Sequence, residues 1–107
     1  MTPPSTPPAE SRFRLASWLG WFVAAAVFLA FLPALRNGFV NWDDDPLLLL
    51  NPFFRGFHIA NLRWMFTTFF MGHYMPLSWL SFAVDHAVWG LNPLGYHLTN
   101  VALHAAN

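Results

Sequence analysis

From Leu15 to Leu35 the chain is apolar and carries no charged residue, with Arg12 and Arg14 before the run and Arg36 closing it. At the helical rise such a run is roughly 32 Å long, enough for a hydrocarbon core of about 30 Å. Trp18 and Trp21 lie near one end, where an aromatic belt is expected, and Pro33 falls in the last turn. The pattern predicts a transmembrane helix over residues 12–36. Residues 1–11, rich in Pro, Ser and Thr, have nothing to bury and are expected to be a disordered tail. A cleaved signal peptide is the rival reading. Its apolar stretch would be about 7–15 residues and end in a small-x-small site. This run is longer, and Leu32-Pro33-Ala34 is a poor cleavage site.

Beyond the run, Gly38, Pro46, Pro52 and Gly56 punctuate an irregular stretch over 37–58. Asp45 followed by Pro46 reads as an N-cap with proline at the first helical position, hence a single turn. Leu47–Leu50 and Phe53-Phe54 are too apolar for a loop in water and are expected to touch lipid or protein. Over 59–70, Ile59, Leu62, Phe66, Phe69 and Phe70 share one helical face, and Ala60, Arg63 and Thr67 another. That segment is too short to span and reads as an interfacial helix. Pro76 opens a second helix over 76–89, apolar except for Ser78, Ser81 and Asp85, and Gly90 stops it. Asn92-Pro93 then caps and opens a third helix, with a polar stripe of His97, Asn100, His104 and Asn107. The chain ends inside this pattern. It reads as the N-terminal piece of a longer protein, with 93–107 starting a second span. The fold class expected is an all-α membrane protein. It has one N-terminal transmembrane helix, a loop over 37–92 with two amphipathic interfacial helices, and the truncated start of another transmembrane helix.

Composition sharpens this. Charged residues make up 9% of the chain against 56% hydrophobic, whereas soluble domains carry about 25% charged residues. The chain therefore belongs in or on a bilayer. Its net charge is zero and it has no Lys, so no basic patch points to nucleic acid. Without Cys there is neither a disulfide framework nor a Cys-ligated zinc site.

The residues that can carry chemistry lie just past the span. Asp43, Asp44 and Asp45 are adjacent, and three carboxylates near a low-dielectric surface repel one another, which favours a raised pKa for at least one. That suits a general base, or a hard divalent metal held by oxygen ligands, although no metal set is assigned. A solvated turn with a helix cap is the bland alternative. Asp85, within a mostly apolar helix, is costly unless paired or wetted, and a histidine is a plausible partner if the helix is buried. The His97, Asn100 and His104 stripe can bind a head group, relay protons or join helices by hydrogen bonds. His97 and His104 lie about 10 Å apart along a helix, too far to share one metal ion. Arg55 and Arg63 can meet phosphate or snorkel to the interface.

From Asn37 onward the chain resembles a family. The residues that carry the likeness are Asn37-Gly38-Phe39-Val40-Asn41-Trp42-Asp43-Asp44, then Asn61-Leu62-Arg63-Trp64-Met65-Phe66-Thr67-Thr68 and Pro76-Leu77-Ser78-Trp79-Leu80-Ser81. They continue through Gly90-Leu91-Asn92-Pro93-Leu94-Gly95-Tyr96-His97-Leu98-Thr99-Asn100 to Leu103-His104-Ala105-Ala106-Asn107. This ordered set resembles bacterial membrane proteins that join a multi-span glycosyltransferase-like region to tetratricopeptide repeats. It is also similar to animal transmembrane O-mannosyltransferases and to the wider GT-C class. The resemblance implies a polyprenyl-phosphate sugar donor and an acceptor hydroxyl on protein or glycan. It implies an acidic motif at Asp43 and Asp44 in the first extracytoplasmic loop, acting as general base with inversion at the anomeric carbon. It implies a bacterial inner (cytoplasmic) membrane with the N-terminus inside. Asp45, His73, Tyr74, Asp85, His97, Asn100 and His104 are the remaining candidates for donor or acceptor contacts. Met75 departs from the pattern, since relatives carry a polar or basic residue there, and His73 or Tyr74 is the candidate substitute. The competing reading is a non-catalytic membrane anchor or scaffold for tetratricopeptide repeats. A proton or ion pathway along Asp85, His97 and His104 is a third. The fragment alone is expected to be inactive.

Overall fold

The computed structural model describes residues 9–107, with side chains from residue 11. Residues 1–8 of the expected tail lie outside this range, whereas Ala9 to Ser11 already belong to the first helix, α1 (Ala9–Phe31). One helical stretch, Ser11–Arg36, is long and apolar enough to cross a membrane, and its most apolar window is unburied. Phe13, Trp18, Trp21 and Phe22 all point outward. A helix apolar all round that packs on little protein suits a lipid environment. The α-helix does not run to Arg36. It tightens into a 3-10 helix over Leu32–Arg36, with Pro33 in its first turn. Pro33 has no N–H to offer the preceding turn, and its ring crowds the carbonyl four residues back.

After an extended stretch the chain forms a π-helical turn, Asp45–Leu49, closed by the Leu50 N–H to the Asp45 carbonyl at 2.8 Å. Helix α2 (Ile59–Thr67) follows. It stops three residues short of the expected 59–70, because Phe70 and His73 pair as an isolated antiparallel bridge with both backbone hydrogen bonds at 2.9 Å. The two residues at the tip, Met71 and Gly72, both have positive φ, 48° and 82°. Gly72 adopts this freely; Met71 does so under strain. Helices α3 (Pro76–Trp89) and α4 (Pro93–Ala106) match the expected 76–89 and the start at 93. Gly90 ends α3 at φ 62°, and the Asn92 side chain accepts the Leu94 N–H at 3.1 Å, as an N-cap does. Among the described residues there is no strand beyond the single bridge, so the architecture is all-α.

The core lies where the π-helical turn, α2, α3 and α4 meet. Leu48, Phe54, Met65, Trp79, Ala83 and Tyr96 are buried there. Trp79 has no exposed surface and meets the rings of Trp64, Phe70, Phe82 and Phe54 at centroid separations of 4.9, 5.5, 5.8 and 6.0 Å. Such pairs add about 0.5–1.5 kcal/mol each beyond the area they bury. The apolar residues of the irregular stretch divide: Leu48 and Phe54 enter this core, while Leu50 and Phe53 face outward. The polar stripe of α4 turns towards the end of α1, with His104 edge-on to Phe31 at 4.9 Å.

Candidate functional site

The three aspartates, adjacent in sequence, have separate roles. The Asp44 carboxylate turns back and accepts the Val40 N–H at 2.9 Å, closing the approach to the turn. Asp45 is the first residue of the π-helical turn and makes no side-chain cap. Asp44, with helical dihedrals, occupies the cap position instead, so the expected Asp45 N-cap does not form. The reason is geometric: an N-cap needs extended dihedrals at the capping residue, and here the helical path has already begun. Among the bonds described, the Asp43 and Asp45 carboxylates are both uncommitted, and the Asp43 carbonyl accepts the Leu47 N–H at 3.0 Å.

Asp43 lines a small cavity of about 130 Å³ with Leu47, Phe70, Met71, His73 and Met75. The turn supplies the acid; the bridged Phe70–His73 hairpin and Met75 supply the facing wall. Asp43 and His73, distant in sequence, are thus neighbours of one pocket, whose other walls are apolar. A carboxylate and an imidazole in such a pocket can accept and relay a proton from a hydroxyl. They are two donors. Among the described residues no three His, Cys, Asp or Glu side chains converge as a metal-ligand set, so the residues present do not by themselves fit a divalent cation.

The other candidates lie elsewhere. The Tyr74 hydroxyl donates to the Phe66 carbonyl at 3.0 Å and its ring leans on Phe69, so it ties the hairpin to α2. Asp85 is 5% exposed and accepts from the Thr99 hydroxyl at 2.5 Å. Its partner is therefore a threonine of α4, not a histidine, because α4 packs across α3 with Thr99 facing it. His97 Nε2 lies 3.4 Å from the Gly38 carbonyl. His97, Asn100 and His104 line a second, larger and mostly apolar hollow of about 420 Å³ with Phe31, Ala34 and Val101. This stripe joins α4 to the end of the span, not to the aspartates.

Two residues matter more than the sequence suggested. Arg55 neither reaches into the acidic pocket nor snorkels; its Nη2 donates to the Leu48 and Leu49 carbonyls at 2.9 and 2.7 Å. Met71 forms part of the pocket wall from a strained backbone position. No local sequence signal marks either. On α3, His86 is half-buried against Phe54, and burial, then the Arg55 charge, lower its pKa.

Comparison with known proteins points in one direction. Over 109 residues, covering 94% of this chain, it is 36% identical to the protein O-mannosyl-transferase Tmtc1 of Drosophila melanogaster. Over 33 residues, 31% of the chain, it is 64% identical to the protein O-mannosyl-transferase TMTC2 of Mus musculus and of Homo sapiens. The chain spans only 12% of the fly protein and 4% of the mammalian ones. No family model matches it. No solved structure matches it.

Proposed function

We propose that this chain is the N-terminal part of an integral-membrane glycosyltransferase that moves a sugar from a polyprenyl-phosphate donor to a hydroxyl of a protein acceptor. Asp43 is the general base. The uncommitted Asp43 carboxylate, in a pocket shortly after the span, carries this reading, and the similarity to protein O-mannosyl-transferases supports it. In this reading residues 37–92 form an extracytoplasmic loop of a bacterial cytoplasmic membrane, α2 and α3 lie along its surface, and α4 begins a second span.

The chemistry follows from the residue types. The acceptor O–H gives its proton to the Asp43 carboxylate as its oxygen attacks the anomeric carbon. The bond from that carbon to the phosphate oxygen breaks, and the lipid phosphate leaves with the bonding electrons. One in-line displacement inverts the anomeric centre. His73, on the facing wall, takes the proton onward or orients the hydroxyl. Phe70, Met71 and Met75 supply the apolar part of the wall, while Asp43 and His73 are exposed and open to an incoming hydroxyl. Asp44 holds the turn, through the Val40 N–H, and leaves its neighbour free.

Transfer from radiolabelled polyprenyl-phosphate sugars by the full-length protein in membranes tests this. Asp43→Asn is expected to lower transfer by about 100-fold or more, the range of a lost general base. Asp44→Asn keeps an acceptor for the Val40 N–H and is expected to stay within about tenfold of wild type, on the scale of one hydrogen bond. Wild-type transfer by Asp43→Asn rejects the base. No transfer from any donor by correctly inserted wild-type protein favours a scaffold for tetratricopeptide repeats.

A further inference from the structure

We infer that Arg55 is a positioning residue for this site, holding the acidic turn from behind so that Asp43 stays at the pocket; this rests on the reading of Asp43 as the base. Its guanidinium donates from one nitrogen to two successive carbonyls, Leu48 at 2.9 Å and Leu49 at 2.7 Å. These are the last carbonyls of the π-helical turn, the groups that a helical end leaves without donors and with partial negative charge. A π-helical turn is rare because few backbones sustain it unaided. The Asp43 carbonyl, just before this turn, is met by Leu47 and the Asp45 carbonyl, inside it, by Leu50, and the far end is met only from Arg55 among the bonds described.

Arg55 is itself well anchored. Phe54, beside it in sequence, is fully buried and packs on Trp79 and Phe82. The path from the core to the carboxylate therefore runs through Phe54, Arg55, the two carbonyls and the turn to Asp43. Arg55 is not among the residues lining the Asp43 pocket, so it acts through the turn and not on a substrate. Both bonds leave the single terminal nitrogen Nη2, and Nε is buried without a partner, so the tether rests on that one nitrogen and a lysine ammonium can replace part of it.

The test uses the full-length protein in membranes, with Asp43→Asn beside Arg55→Gln and Arg55→Lys. For Arg55→Gln we expect kcat to fall by about 10- to 100-fold, the effect of a misplaced catalytic group, with KM within about twofold. Arg55→Lys recovers part of the loss. Hydrogen exchange at the Leu47–Leu50 amides quickens in Arg55→Gln while α3 amides keep wild-type protection. A wild-type kcat in Arg55→Gln overturns the inference, as does exchange that rises equally through α3 and α4, the mark of general loosening. Should Asp43→Asn transfer at the wild-type rate, the base reading fails and the inference falls with it. If Asp43→Asn is dead and Arg55→Gln unaffected, only the inference falls.

Discussion

Replacing Thr99 with Val is close to isosteric, and it removes the hydroxyl that bonds the buried Asp85 carboxylate. The contact is 2.5 Å, at the short end of about 2.5–2.7 Å for a hydroxyl donating to a carboxylate. Asp85 is only 5% exposed, so water replaces little of what is lost. A hydrogen bond to a charged group contributes about 1.5–3 kcal/mol, and an orphaned buried charge costs at least as much, so about 2–3 kcal/mol is expected to disappear from the α3–α4 junction. That is roughly a 30- to 150-fold rise in local opening. Hydrogen exchange of α3 and α4 amides in the membrane-embedded protein reads the rise directly. Thr99→Ser keeps the donor and is expected to lie within about 1 kcal/mol of wild type, the size of a small packing defect. Asp85→Asn combined with Thr99→Val removes the charge together with its donor and is expected to be less harmful than Thr99→Val alone, since the two residues act as one unit. Thr99→Val within about 0.5 kcal/mol of wild type, the range of an indifferent surface change, refutes a joining role for Asp85.

Gly95→Ala is expected to disrupt the same corner, because a Cβ there falls 2.7 Å from Trp89 Cβ and closer still to the indole. The overpacking costs about 1–3 kcal/mol, visible as a lower melting temperature and shifted tryptophan emission; an unchanged melt counts against it. His86, with its pKa lowered from 6.5 by burial and by Arg55, gives a pH limb of defined sign. Below 6.5 the unfolded chain takes up a proton that the folded chain resists, so stability falls as pH drops and is level above it. His86→Gln removes this contribution; an acid limb in exchange or melting that is as steep as in wild type contradicts it.

Much of the frame was legible because punctuation and period agree. Pro76 and Gly90 bracket α3, and Asn92-Pro93 opens α4, each by local backbone chemistry that needs no distant partner. The apolar run of α1 announces itself by length alone. What escaped depends on pairings far apart in sequence. The apolar pattern of Phe66, Phe69 and Phe70 continues a helical period past Thr67, yet the chain turns at Met71-Gly72, which lacks the Asn-Gly or Asp-Gly signature of such turns. Asp43, Asp44 and Asp45 were legible as a cluster. Their division into a free carboxylate, a backbone acceptor and the opening of a π-helical turn depends on dihedrals that no residue type dictates. The Arg55 tether and the Thr99 partner of Asp85 are likewise fixed by how helices pack, which residue order does not reveal.

The contact between His97 and Gly38 also bears on time. It joins residues 59 apart, and Phe39 meets Tyr96 across a similar interval, with ring centroids 5.5 Å apart. The segment leading to the aspartates is thus held by a helix synthesised long after it. While the chain is being made, α1 can enter the bilayer and α2 and α3 can coil, but Gly38–Phe39 stays unmoored until α4 returns. The entropy of closing so wide a loop is met only once the α4 contacts exist. The approach to the acidic turn is therefore fixed late in assembly, whereas the turn itself closes early, on bonds that lie within residues 40–55.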